Sequence, residues 1–128
     1  MALNLFDIVH AIHLKGYTHG GIKPRNLRFD GNSLHLIDFL KSKEIMPQGQ
    51  PMEYSKDYEL QCDLEYASLW AHNGDTPHCR DDLVAVGFTV LSIITDVIGD
   101  PLWFRDVIHD GNQVNRARYF KENFIEKG

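Results

Sequence analysis

His19-Gly20-Gly21-Ile22-Lys23-Pro24-Arg25-Asn26 runs straight into Leu27-Arg28-Phe29, and beyond Asp30-Gly31-Asn32-Ser33 comes Leu34-His35-Leu36-Ile37-Asp38-Phe39-Leu40. The triplets 27–29 and 34–36 alternate apolar and polar residues, the period of a half-buried strand. The four residues between them are turn chemistry, since Gly and Asn tolerate positive φ while Asp and Ser bond local backbone. The pattern predicts a β-hairpin entered from a polar loop, His19 to Asn26, with Asp38 just past its second strand.

The flanks predict helices. Leu5, Ile8, Val9 and Ile12 recur at helical spacing over 3–13, and Gly16 follows as a stop. A second helix is expected from a cap at Asp81 or Asp82 through Val97, closed by Gly99-Asp100-Pro101. Its apolar residues (Leu83, Val84, Val86, Phe88, Val90, Leu91, Ile93, Ile94) go nearly all round, which places it in the middle of the fold. Between the hairpin and this helix, 41–81 reads as mostly irregular. Pro47, Gly49 and Pro51 break any helix there, and 53–65 is acidic, with Glu53, Asp57, Glu59, Asp63 and Glu65 against Lys56. A final helix is expected around Asn115 to Lys127.

Composition bounds the function. The chain has 128 residues, one domain or a piece of one, and at 43% hydrophobic and 24% charged it is globular rather than disordered. A net charge of −5 argues against nucleic-acid binding. The basic residues Arg116, Arg118 and Lys121 are countered by Glu122 and Glu126, so no patch forms there either. The longest apolar run, 83–98, contains Asp96 and falls short of the roughly 20 residues a membrane span needs. No basic segment precedes the first apolar residues, so no signal peptide is expected. With Cys62 and Cys79 the only cysteines, a reducing, intracellular setting is expected, cytoplasmic or nuclear. His72, His78 and Cys79 lie close together but lack paired ligand spacing, and zinc is not expected.

Residues 19–26 resemble the protein-kinase catalytic loop, H-x-D-x-K-x-x-N, and Ile37-Asp38-Phe39-Leu40 resembles the metal-binding D-F-G segment, Asp38 standing twelve residues beyond Asn26. Asp82 and Gly87 match the D-x-x-x-x-G that opens the central helix of the kinase large lobe. Ala67-Ser-Leu-Trp-Ala-His-Asn-Gly-Asp-Thr-Pro77 with Arg80-Asp81-Asp82-Leu83 resembles the segment that replaces A-P-E in the casein kinase I superfamily. Ala71-His-Asn-Gly74 and the H-G start of the loop are closest to vaccinia-related kinases, and Leu102-Trp103, Arg118-Tyr119 and Lys121-Glu122-Asn123 are similar to that family's tail. The resemblance covers about Leu3 to Lys127. It implies a mainly α (α+β) fold, a truncated kinase-like C-lobe with one small β-hairpin. Residues 1–128 would then be a partial kinase domain, C-lobe only, with the N-lobe absent.

The resemblance also assigns residues. Asn26 and Asp38 match the two magnesium ligands, and Lys23 matches the lysine that contacts the transferring phosphate. His19 would pack with Phe39, and Asp82 would bond the backbone of the loop. Mg–ATP is the cofactor by family resemblance. Two departures cut against it. Gly21 stands at the catalytic Asp position, where the family's carboxylate orients the attacking hydroxyl, and glycine has no group to do so. No Gly-rich phosphate loop, strand lysine or partner glutamate occurs in the 128 residues. Leu40 also replaces the D-F-G glycine. No catalytic residue is therefore expected intact. What remains at Lys23, Asn26 and Asp38 is a weak residual phosphate or magnesium site, and no cofactor is expected. The acidic stretch 53–65 reads as a solvated loop or a docking surface for a basic partner. The expectation is a pseudokinase-like module that binds a protein, a kinase or a kinase substrate, with no nucleic acid and no membrane. The alternative is a fragment of a serine/threonine protein kinase that transfers phosphate from ATP to protein hydroxyls.

Overall fold

Leu5 and Val9, four residues apart on helix α1 (Ala2–Leu14), lie wholly buried against Ala85 and Val86 of a long helix, α3 (Cys79–Ile98). The computed structural model describes residues 2–60 and 63–98. Between the two helices the chain forms β1 (Tyr17–Thr18), a 3-10 turn (Pro24–Asn26), β2 (Leu27–Phe29), β3 (Leu34–Leu36), β4 (Lys43–Glu44), a second 3-10 turn (Pro47–Gly49) and the short helix α2 (Leu69–His72). Ile22 and Leu36 complete the buried cluster, with Ile8, Ile12, Leu27, Leu34, Tyr66 and Val90 packed around it. The core thus joins α1, the loop, the hairpin and α3.

The hairpin predicted from the alternation is present. β2 and β3 pair antiparallel in the register Leu27 to Leu36, Arg28 to His35 and Phe29 to Leu34. Asp30 makes the turn: its carboxylate accepts the N–H groups of Asn32 and Ser33 at 2.9 and 2.8 Å. Those N–H groups, with His35 behind them, hold the Asp30 carboxyl down at about 2.

The structure adds to the expected plan in three places. First, β1 and β4 form a second antiparallel pair, Tyr17 opposite Glu44 and Thr18 opposite Lys43. Two-residue strands carry no periodicity, so the alternation could not announce them. Second, 41–81 is less irregular than expected. Residues 55–58 are stitched to 74–76 by Thr76 N–H to Ser55 O and Tyr58 N–H to Gly74 O, each 3.0 Å, and Ser68 caps α2 by accepting the Ala71 N–H at 3.0 Å. Third, α3 begins at Cys79, ahead of the expected cap. Asp81 sits in the first turn and reaches back to accept the His78 N–H at 2.8 Å, one half of a capping box.

The expectation that α3 is buried on every face is corrected. Val86 and Thr89 are fully enclosed, but Leu83, Leu91 and Ile94 are 45%, 39% and 50% exposed. They fall on one side of the helix, because at about 100° per residue positions 83, 94 and 91 lie within an arc of about 80°. The predicted stop at Gly99-Asp100-Pro101, the Trp103 region, the tail motifs and the final helix at 115–127 lie outside the described residues. Among the described residues no helix is long and apolar enough to cross a membrane.

Candidate functional site

The loop from His19 to Asn26 is anchored at its start by α3. Asp82, almost entirely buried, accepts the backbone N–H of His19 at 2.8 Å and that of Gly20 at 2.9 Å, and bonds His13 Nε2 at 2.8 Å. A carboxylate so buried is sustained only by such donors. At its far end the loop winds into the 3-10 turn, where Pro24 supplies the fixed φ that a first helical position accepts. Asn26 Nδ2 then donates to Gly21 O at 2.7 Å, closing the loop on itself.

His19 is wholly buried and its ring is fixed by two bonds. The Gly21 N–H donates to Nδ1 at 3.1 Å, so the proton resides on Nε2, which donates to Ile37 O at 3.0 Å. Burial lowers its pKa, opposed in part by the Ile37 hydrogen bond and then by the charges of Asp82 and Asp38. The Phe39 ring meets it edge-on, centroids 4.7 Å apart. The packing of His19 on Phe39 and the bonding of Asp82 to the loop backbone, both implied by the resemblance, are therefore present in the structure.

The hairpin brings Asn26 and Asp38 to one end. Ile37 N–H donates to Asn26 O at 2.9 Å, extending the ladder by one bond, and Asp38 follows immediately. Asp38 has φ of 64°, the left-handed region that Asp enters more readily than most residues, and its Oδ1 accepts the Leu40 N–H at 3.3 Å. Asn26 has committed its amide nitrogen to Gly21, so its oxygen is the acceptor left for a ligand. One amide oxygen and one carboxylate do not by themselves satisfy a hard divalent ion that takes six oxygens. Phosphate oxygens and waters would have to complete the shell, and the residues fit magnesium only in that shared sense. Among the described residues no three His, Cys, Asp or Glu side chains gather into a metal site. Burial, with Asp82 next in effect, pushes the Cys79 thiol up, which disfavours the thiolate a zinc site needs.

The two glycines differ. Gly20 has φ of +77°, and a Cβ there would stand 2.5 Å from Lys41 O, so the fold demands glycine. Gly21 has no left-handed backbone, and a Cβ there would meet nothing nearer than Asn26 Nδ2 at 3.6 Å. The position where the resemblance puts a carboxylate thus has ordinary van der Waals room for a Cβ. Lys23, two residues on, turns to Asp63: Nζ donates to Oδ2 at 2.8 Å. Gly21, Lys23 and Asp63 line one pocket with Lys41, Tyr66 and Ser68.

Three residues of this arrangement have no site role in the sequence expectations, His13, Asp63 and Ser68, while Asp81 is expected as a cap but not as the partner of Ser68. His13 carried a signal, standing four residues after Val9 on the buried stripe of α1. Ser68 carried a weaker one as a capping residue. Asp63 had none, because nothing in an acidic stretch distinguishes the carboxylate that folds back.

No family model matches the chain. It is 34% identical over 110 residues to a probable serine/threonine-protein kinase of fowlpox virus, covering 84% of this chain and 36% of the relative. It is 38% identical over 94 residues to a probable casein kinase I homologue of Encephalitozoon cuniculi, 68% of this chain and 30% of the relative. A monkeypox virus pseudokinase is 26% identical over 89 residues, 70% of this chain and 32% of the relative. The chain therefore spans about a third of the length of the curated relatives it matches. In fold it is similar to vaccinia related kinase 3, with a TM-score of 0.78 at 21% identity, over 95% of this chain and 38% of the other.

Proposed function

The chain is protein-kinase-like, of the casein kinase I and vaccinia-related kinase family, and from that premise we propose that it is a pseudokinase-like module that transfers no phosphate and works by binding another protein inside the cell. The observation that carries this reading is Gly21. Its loop keeps the anchors of a catalytic loop, at Asp82 and Asn26, yet lacks a side chain where the family's carboxylate orients the attacking hydroxyl. Positioning and electrostatics supply nearly all of the catalysis of phosphoryl transfer, so the loss is severe. The partner class we propose is a kinase or a kinase substrate, since the surface beside the loop persists while the reacting group does not.

A second reading, a serine/threonine kinase that uses Mg–ATP, has a specific support: two of the relatives named above are described as probable kinases. A transfer assay separates the two. The purified chain with γ-labelled ATP, magnesium and a mixed protein acceptor should give no label above the no-enzyme blank. Label that depends on this chain alone would overturn the pseudokinase reading. A Gly21→Asp variant, whose Cβ the position admits, tests whether the missing carboxylate is the only lesion. Label from that variant would mean that it is.

A further inference from the structure

Lys23 and Asp63 stand forty residues apart in sequence and meet at 2.8 Å in the pocket that Gly21 lines. Their side chains are 21% and 40% exposed, so this is a partly sheltered pair. Both ends are held. Asp63 O accepts the N–H groups of Tyr66 and Ala67, each at 3.1 Å, in a turn that delivers buried Ala67 and Ser68 to the core. Ser68 Oγ in turn donates to Asp81 Oδ1. Lys23 stands on the loop that Asp82 secures. Asp81 and Asp82 are neighbours in the first turn of α3, so the two walls of the pocket are fixed to adjacent residues and the ion pair closes between them.

A lysine ammonium facing a recess that glycine leaves open attracts an anion as a point charge. Here the chain supplies that anion itself. We propose that Asp63 is an intramolecular latch: its carboxylate occupies the anion seat at Lys23, keeps phosphate-bearing ligands off it and ties the 63–68 wall to the loop. A phosphate reaches Lys23 only by displacing Asp63. The inference rests on the kinase-like reading of the loop for the identity of the competing anion, and on the observed geometry for the latch itself.

Two measurements on the full chain test it. The first is titration with inorganic pyrophosphate at low salt, followed by the amide resonances of Gly20, Gly21 and Ile22. Asp63→Asn should bind about two- to fivefold more tightly than the unmodified chain, the gain expected from freeing one partly exposed pair. Adding Lys23→Met to Asp63→Asn should abolish the gain. Equal affinity with and without Asp63 would overturn the latch. The second needs no variant: acylation of lysines, with exposed Lys56 as the internal standard. Lys23 should be protected at low salt and lose protection at about 1 M salt, where the screening length falls to about 3 Å. Protection that salt does not change, or its absence at low salt, would overturn the proposal even if Asp63→Asn failed to fold. Label transfer by the unmodified chain would sink the pseudokinase reading and leave this footprint unmoved.

Discussion

Replacing Gly20 by alanine should destabilise the protein by about 1–3 kcal/mol, because alanine must adopt a left-handed backbone while its Cβ presses on a carbonyl. Alanine at Gly21 should instead fall within about 1 kcal/mol of the parent, with a small gain from the lower entropy of the unfolded chain. Urea unfolding of the two variants checks the contrast, and a Gly21→Ala as damaging as Gly20→Ala would refute it. His19 supplies a pH dependence. Its folded pKa is lowered below the ordinary 6.5, so the unfolded chain binds the proton more readily. Its contribution is then complete above 6.5 and declines as the pH falls below that value toward the lowered pKa. Protonation of Nδ1 would also break the Gly21 N–H bond. The melting temperature should drop between about pH 7.5 and pH 5.5, and His19→Gln should flatten that slope. An unchanged slope in the variant would place the dependence elsewhere.

Among the elements, the first turn of α3 carries most of the site. Its adjacent carboxylates divide the work, Asp81 holding Ser68 and the start of its own helix, Asp82 holding the loop and α1 through His13. Asp82→Ala should cost about 3–5 kcal/mol, since it strands buried donors, whereas Ser68→Ala should cost about 1 kcal/mol as a lost cap. Thermal unfolding compares the two, and hydrogen exchange at the His19 and Gly20 amides should rise sharply only in the first. Slow exchange there in a folded Asp82→Ala would mean that the loop has another anchor. The resemblance named Asp82 from its place before Gly87, but the sequence could not say that Asp81, one residue earlier, turns to Ser68. Adjacent helical residues point about 100° apart, and only the packed neighbours decide what each one meets.

On the scale of the whole molecule, the stripe Leu83, Leu91 and Ile94 is the largest disagreement between expectation and structure. An apolar sequence all round a helix records what each position tolerates, and burial depends on which neighbours arrive. Leu91→Glu should therefore leave the stability within about 0.5 kcal/mol, while Leu5→Ala, in the closed core, should cost about 2–5 kcal/mol. Chemical denaturation of both checks this, and a large loss at Leu91 would mean that the stripe is covered. The hairpin, the two long helices and the loop's missing carboxylate can be read along the chain, because periodicity, turn chemistry and residue identity are local properties. That Lys23 is paired, that Gly20 is obligatory and Gly21 is not, and that β1 finds β4 emerge only once the chain has folded. Each of those depends on a contact between residues distant in the chain, whose meeting is set by the closing of the core rather than by any pattern along the backbone.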